Sequence, residues 1–583
     1  MSFVRDVFSL PRRIGYADII VFGALGGVLY WLLLISREWS SALQPNVVIH
    51  KEFSYLPLYM LYSLSRGLGA YVVSLLFTIA YGYTMAHSKR AEKFMLPLLD
   101  ILQSVPILAF LPWLVLALVY VFPHTNIGLE IATLLTIFTG QVWNMTFAFY
   151  HSLKAIPNDL RDASKSFYLT KRETLIKLEL PSSAIPLVWN SMMSMAGGWF
   201  FLSVSEAFSF GDKDFKLPGI GSYMSVAVEN GNIAGMIGAV VAMAFMIILL
   251  DRLLWRPLVI WSTKFRVEEL ANEQEGKSFV LDIVQHSEFV QSIRRWVGRR
   301  MRKAQQHTQE EFVAMRDTLQ KEAFDQRVEE ETPLKKAFGI TMIAIVFTLL
   351  AYGILKLFNV FTREVTGEEW LMVLGGSGLT LLRTLAAVLL GALWTIPVGV
   401  IIGMNPRYSH KLQPVVQFMA SFPAPMFFPL FILLFQNVGL SIEYGAIFLM
   451  LLGTQWYMLF NVIAGASAIP TDLQEMFTSY NIPRKIWWTK LILPAIFPAI
   501  ITGAITAAGG AWNASIIAEY VEYNKHTYAA HGVGALMWSA FGKGQFALLG
   551  AGIFTLCLMV VLLNKFLWRR LFNLAQDRFA LNV

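Results

Sequence analysis

The sequence predicts an all-α, polytopic membrane protein of about 12 transmembrane helices, built as two tandem six-helix halves with a helical cytoplasmic linker between them. Three observations predict it. Hydrophobic residues fill 56% of the 583 positions, charged residues only 15%, and mean hydropathy is +0.54, too apolar for a soluble chain. Apolar runs of roughly 20 residues, enough to cross about 30 Å of hydrocarbon, recur along the whole length. The loop Ala155-Ile156-Pro157-Asn158-Asp159-Leu160 returns 313 residues later as Ala468-Ile469-Pro470-Thr471-Asp472-Leu473, and Leu180-Pro181 returns at the same interval as Leu493-Pro494.

The runs lack the in-out alternation of membrane barrel strands, so each is expected to be a helix. In the first half they lie near 17–35, 58–86, 95–121, 127–150, 182–207 and 232–250. In the second they lie near 338–358, 374–403, 412–436, 443–465, 492–517 and 545–565. The first run follows Arg5, Arg12 and Arg13 like a signal-anchor, and no small-x-small cleavage site follows Ser36-Arg37-Glu38-Trp39, so it is expected to be retained. Pro106, Pro112, Pro423, Pro425 and Pro429 are expected to break the third spans, which is tolerated where helices bury one another or line a cavity. Cys557, the single cysteine, lies in the last span; it forbids an internal disulfide and reads as a packing residue.

Charge then orients the spans. The formal net charge of +8 sits in alternate loops, such as Lys89-Arg90, Lys171-Arg172 and Arg252 with Arg256, whereas 122–126 and 437–441 carry no Lys or Arg. That distribution argues against a nucleic-acid partner and places both termini in the cytoplasm. Residues 262–333, rich in Glu, Gln, Lys and Arg, form the expected linker between halves at 1–261 and 334–583. Its basic run from Arg294 to Lys303 suits either anionic lipid headgroups or a solvated helix.

The repeat extends beyond the loops. Pro97, Ser104, Pro106 and Pro112 match Pro414, Ser421, Pro423 and Pro429 at a shift of 317. Trp143, Met145, Phe147, Glu206, Gly219-x-Gly221 and Trp255-Arg256 match Trp456, Met458, Phe460, Glu519, Gly532-x-Gly534 and Trp568-Arg569 at 313. One register kept over so many residue types indicates duplication and fusion, with parallel repeats about an axis along the membrane normal.

Within each loop, Ile156-Pro157 and Ile469-Pro470 set a rigid turn ahead of a helix, because proline presets its backbone dihedral and lacks the donor that a first helical turn leaves free. Asn158 and Asp159 favour that positively polarised start. Leu160, Ala163, Phe167 and Leu175 then make an amphipathic segment suited to a groove on a soluble partner.

The pattern Ile-Pro-x-x-Leu-x-(Glu/Asp)-Ala-x, a helix and Leu-Pro resembles the coupling loop of permease subunits of bacterial ABC importers. Asp162, Ala163 and Ser164 stand where that family has Glu-Ala-Ala, with Tyr168 at its Gly position; Glu475, Met476 and Phe477 stand there in the second copy, with Asn481 at the Gly. Asn tolerates the left-handed backbone better than Tyr, so the two loops are expected to turn differently. With Ser205-Glu206, Ala518-Glu519, the Gly-x-Gly motifs and the closing Trp-Arg pairs, the nearest likeness is to nitrate, sulfonate, taurine and bicarbonate permeases, over roughly 58–256 and 374–570. The resemblance implies a type I importer fold, a fused double permease, and coupling loops made by Ile156, Pro157, Leu160, Asp162, Ala163, Ser164 and Tyr168 and by Ile469, Pro470, Leu473, Glu475, Met476, Phe477 and Asn481. It further implies two copies of an ABC ATPase subunit holding ATP and Mg, no cofactor on this chain, and an extracytoplasmic substrate-binding protein. The location implied is the bacterial cytoplasmic membrane, and the cargo a small solute such as nitrate, sulfonate or bicarbonate.

The chain itself is not expected to be an enzyme. Ala271 to Ser278 lacks the leading glycine of a phosphate loop and follows no strand, and neither zinc spacing nor a nucleophile elbow occurs, so no catalytic or metal residue is assigned. Candidate pathway residues are the polar pairs Gln141 with Gln455, Asn144 against Tyr457, Trp199 with Trp512 and Glu206 with Glu519, together with Asn513, since such groups are costly beside lipid. Amides and tryptophans at these sites also serve helix packing. The glutamates have three open roles: lining the mouth, binding the Gly-x-Gly backbone, or sitting in external solvent. At a mouth they would repel an anion. The alternative architecture, a major-facilitator secondary transporter, would carry a Gly-x-x-x-Asp-Arg motif between its second and third spans, where this chain has His87-Ser88-Lys89-Arg90.

Overall fold

The computed structural model describes residues 16–39, 48–167, 169–210, 213–265, 279–292, 295, 348, 352–353, 355–356, 358–480 and 482–579. Most of the expected span at 338–358 and of the linker, including most of the Arg294 to Lys303 run, lies outside the described residues.

The chain divides into two compact units, residues 1–34 with 273–364 and residues 35–272 with 365–583. In the smaller unit, α1 (Tyr16–Trp39) carries a buried Asp18 that accepts hydrogen bonds from the Ser287 hydroxyl at 2.7 Å and the Phe289 amide at 3.0 Å. Phe22 meets Phe289 with ring centroids 4.7 Å apart.

Both repeats belong to the larger unit. Its first half runs through α2 (Leu56–His87), α3 (Lys89–Ser104), α4 (Leu111–Val121), α5 (Ile127–Lys154), α6 (Asn158–Ser166), the short α7 (Lys171–Thr174), α8 (Leu180–Ser205), α9 (Ile220–Glu229), α10 (Ile233–Leu250) and α11 (Arg256–Ser262). After α12 (Phe279–His286) in the smaller unit, the second half repeats the plan. It runs through α13 (Gly367–Met404), α14 (Pro406–Ser421), α15 (Phe428–Val438), α16 (Ile442–Ser467), α17 (Thr471–Ser479), α18 (Arg484–Ile486), α19 (Leu493–Ala518), α20 (Val533–Gly542), α21 (Phe546–Leu563) and α22 (Arg569–Phe579). Among the described residues seven helices are long and apolar enough to cross a membrane, or eight if a bent pair counts as one span.

That bent pair is the third span of the second half. Its two helices meet at 79°, and in the first half α3 and α4 are likewise separated by a 3-10 turn at Ile107–Ala109. The breaks fall at Pro106 and Pro423, whose missing amides end one helix, while Pro112 and Pro429 sit in the first turns of the next, where no amide partner is lost. Four π-turns also occur in matched places, at Leu175–Glu179 and Trp487–Ile492 before the fifth spans and at Asp251–Trp255 and Asn564–Trp568 after the sixth.

Each half adds a two-stranded hairpin after its fifth span, which helix-period reading does not reveal. β1 (Ser209–Phe210) pairs with β2 (Lys213–Asp214), and β3 (Tyr520–Tyr523) pairs with β4 (His526–Ala529) in register Val521 to Tyr528. Asn524 and Lys525 both have positive φ, as the tight turn between such strands requires. Asn524 also donates its amide to the Val228 carbonyl at 3.0 Å, tying the second hairpin to the first half. The core is shared: Phe208 stacks near Phe541 at 5.7 Å, and Trp113 near Phe546 at 5.0 Å. Outward faces stay apolar, as at Leu382, Leu389 and Leu393 on α13, a stripe that suits lipid rather than water.

Candidate functional site

Polar chemistry concentrates in three layers between the two ends of the helices. The first is an ion-paired hub, present in both halves. Arg66 on α2 reaches Glu130 on α5 through two bonds of 2.7 Å, Glu206 at the end of α8 at 2.8 Å, and the Pro218 carbonyl at 2.7 Å. Glu206 also accepts from the Ser63 hydroxyl and from the Gly221 amide at 2.9 Å, while Ser63 accepts from the Ile220 amide. All three charged side chains are fully buried. The second half repeats the ion pairs at the matched positions: Arg383 pairs with Glu443 and with Glu519 at 2.9 Å and reaches the His531 carbonyl, and Glu519 accepts from Thr380, in the place of Ser63, and from the Gly534 amide. One guanidinium offers five donors in a fixed fork, which suits two carboxylates and a carbonyl at once. Glu206 and Glu519 therefore hold the turn carrying Gly-x-Gly against α2 and α13.

The second layer is a cavity of about 330 Å3 where the halves meet. It lies at mid-height of α5 and α19, lined by Thr139, Gly140, Trp143 and Asn144 on one side and by Thr506, Gly509, Gly510, Trp512 and Asn513 on the other. Tyr457 of α16, Gln103 of α3 and Phe200 of α8 close it further. Of the nine candidate pathway residues, Asn144, Tyr457, Trp512 and Asn513 line this space and Gln141, Trp199, Glu206, Gln455 and Glu519 do not. Gln141 is buried near Ser74 and the Met195 sulfur, and Gln455 accepts from the Trp394 indole N–H at 3.1 Å. Trp199 packs across Gly67, where an added Cβ would stand 2.6 Å from its ring. The glycines of the fifth spans do two jobs. A Cβ on Gly197 would stand 2.8 Å from the Gly140 carbonyl, so it permits close helix approach, whereas a Cβ on Gly509 meets nothing within 4 Å and faces open space.

The third layer is the pair of loops. α5 ends at Lys154 and α16 at Ser467, and each chain turns at once through a buried isoleucine, Ile156 or Ile469, into a short helix. Ile156 belongs to an apolar cluster with Phe149, Leu153, Leu175 and Leu178, and Ile469 to a larger one that includes Leu473, Trp487 and Trp488. Pro157 is extended at the start of α6, and Pro470 precedes α17. The polar segment of the first loop is two pieces rather than one continuous helix: α6 stops at Ser166, and Thr170 caps a new turn through a reciprocal box with Glu173. Exposed Leu160, Phe167, Met476 and Tyr480 crown the loops without apolar cover, beside exposed Asp162 and Glu475. Ala163 is half-buried and Ser164 buried, its hydroxyl donating to the Arg161 carbonyl. Tyr168 and Asn481, on which a difference in turning was expected, lie outside the described residues, as does the side chain of Phe477.

Sequence comparison decides the family. Residues 74–254 and 395–573 each match the binding-protein-dependent transport system inner membrane component family. The chain belongs to that family. It carries the permease domain twice, and the family is one of transport permeases rather than enzymes. The permease is 28% identical over 173 residues to the nitrate import permease of Synechococcus elongatus, a match covering 29% of this chain and 58% of that protein. It is 26% identical over 187 residues to the bicarbonate transport system permease of the same organism, covering 32% and 64%. A putative aliphatic sulfonates transport permease of Bacillus subtilis is 27% identical over 188 residues, covering 32% and 64%. These matches thus span about three fifths of the length of each relative. The permease is a multi-pass membrane protein with the ABC-importer permease architecture.

Residue patterns missed two of the three charged residues of each hub. Arg66 and Arg383 correspond at the 317 shift, and Glu130 and Glu443 at 313, so charges recurring at matched depths in apolar spans were the available signal.

Proposed function

We propose that this one chain forms the whole transmembrane pathway of an ATP-driven importer, with two copies of an ABC ATPase subunit docked beneath its two loops. The observation that carries this reading is continuity. α5 and α16 each line the central cavity and run directly into a docking loop, so force on Ile156 or Ile469 is delivered to the cavity wall. Exposed apolar side chains at Leu160, Phe167, Met476 and Tyr480 offer surface for a soluble partner's groove. In this reading the loops and both termini face the cytoplasm, ATP and Mg stay on the ATPase subunits, the 262–333 stretch joins halves at 1–261 and 334–583, and an extracytoplasmic binding protein delivers cargo at the hub end. ATP-driven closure of the partners rocks the halves between outward- and inward-open states.

Replacing Asp162 and Glu475 together by Arg is the test. Both are exposed, so the spans stay folded while co-purification of the ATPase and stimulation of its hydrolysis fall. Unchanged co-purification and stimulation in the double variant would overturn the docking assignment.

A further inference from the structure

The two halves do not share the central cavity evenly. From the first half, the end of α3 and the middle of α5 line it through Gln103, Thr139 and Asn144. From the second half, α19 lines it through Thr506, and the π-turn after α21 through Asn564 and Trp568. A twofold plan supplies a matched crevice built from α14, α16 and α8. There Ala420 stands for Gln103, Leu452 for Thr139, Tyr457 for Asn144 and Met193 for Thr506. Of these counterparts only Tyr457 meets the cavity. The amides and hydroxyls that can orient a polar solute therefore belong to one crevice and are replaced in the other.

Packing closes the matched crevice. Gln417 on α14 donates its Nε2 to the Met192 sulfur on α8, which ties together the two helices that would have to part. Next along the chain, Phe422 and Ala424 are buried and Phe422 meets Phe427 with ring centroids 4.6 Å apart, whereas the counterparts Val105 and Ile107 line the open cavity. Methionine fills irregular gaps, and a close-packed wall admits no solute. On the open side, space is kept by glycine: a Cβ on Gly509 meets nothing within 4 Å, and Ala196 holds its register in the first half.

We propose that cargo crosses only the crevice between α3 and α5 of the first half and α19 and α21 of the second, past Gln103, Thr139, Asn144 and Thr506, and that the matched crevice stays sealed throughout the cycle. This rests on the cavity being the route of the importer proposed above. Co-purification of the ATPase tests that importer separately, so a chain that docks its ATPases yet opens equally on both sides sinks only the present inference.

The experiment is thiol labelling of the full chain, with the subunits that co-purify with it, in lipid nanodiscs that leave both faces open to reagent. A Cys557→Ala background receives one substitution at a time, Thr139→Cys, Thr506→Cys, Leu452→Cys or Met193→Cys, and the probe is a small charged methanethiosulfonate applied with and without ATP. In whichever condition each reacts faster, the first two are expected to react at least about tenfold faster than the last two, because close packing excludes the reagent. Adding Thr506→Trp is expected to slow Thr139→Cys by about tenfold by filling the shared space, and adding Met193→Trp to leave it unchanged. Complete labelling of all four cysteines after denaturation, and thermal unfolding close to that of the unaltered chain, show that a slow rate reports local burial. Equal rates at the two members of a matched pair, no reaction at any of the four, or a block by Met193→Trp as strong as that by Thr506→Trp would overturn the proposal.

Discussion

The two ends of each half have diverged to very different degrees. At the hub end Arg66, Glu130, Glu206 and Gly221 have counterparts in Arg383, Glu443, Glu519 and Gly534 that keep the same ion pairs, though Arg66 Nε donates to the Glu130 carboxylate and Arg383 Nε to the Glu443 backbone carbonyl. At the loop end the copies share a frame and little else. In the first half His87 meets Glu179 at 2.8 Å, and Lys154 and Tyr150 both reach Glu92. In the second half the matched positions are Met404 with Ile492, Ser467, Ile463 and Ser409, and Met404 and Ile492 share one apolar cluster. Even the loop staple differs: Arg161 reaches back to the Leu153 carbonyl, whereas Gln474 at the same register reaches the Ile469 carbonyl. The difference teaches where drift is permitted. A buried guanidinium must keep its carboxylates, since losing any one strands a charge in low dielectric. Exposed loop side chains carry no such debt and are freer to change.

The largest effect expected from this contrast is at the hub. Arg66→Met leaves two fully buried carboxylates unpaired and is expected to cost about 3–5 kcal/mol, visible as a lower unfolding temperature in nanodiscs or as lost expression. Arg383→Met is expected to cost less, because Glu443 is 30% exposed and water partly replaces the lost partner. Equal losses from the two substitutions would break the claim that burial sets the cost.

A smaller effect is expected at the loop end. His87→Met and Glu179→Ile each convert one member of the first half's polar pair into its counterpart from the second half. Either alone is expected to cost about 1 kcal/mol by leaving the other unpaired, and the double substitution to recover most of it. Thermal unfolding of the four chains reads the coupling, and a double variant as damaged as the sum of its parts would mean that the halves are not interchangeable there.

The smallest effect concerns pH. Lys177 and the Thr170 amide hold the Glu173 carboxyl below the usual glutamate range. A carboxylate depressed in the folded state stabilises above its unfolded value and loses that contribution as pH falls through the folded one. Fraying of residues 170–174 is therefore expected below about pH 4.3. The second loop, with Pro483 and Ile486 in place of Thr170 and Glu173, has no such dependence at this site. Amide exchange measured at both loops checks this, and equal acid sensitivity would count against it.

How much of this was legible beforehand depends on which force sets the feature. Breaks at Pro106 and Pro423 follow from a missing donor, which is local and therefore readable. The matched glutamates Glu206 and Glu519 were visible as repeats, but their arginine partners lie 140 and 136 residues away, and nothing local announces that meeting. The hairpins after each fifth span escaped because two to four residues per strand give too short an alternation to register against apolar helices.

Sequence alone determined the membrane class, the twofold plan and the two repeated Ile-Pro loops, since hydropathy, repeated register and proline chemistry are properties of the chain wherever it sits. Only the tertiary structure decided which polar residues meet the central space. Trp199 and Trp512 occupy the same register, yet one packs across Gly67 and the other lines the cavity. Gly67 is matched by Thr384 in the second half, so the two tryptophans do not share neighbours, and neighbours, not identity, set what a buried side chain can do.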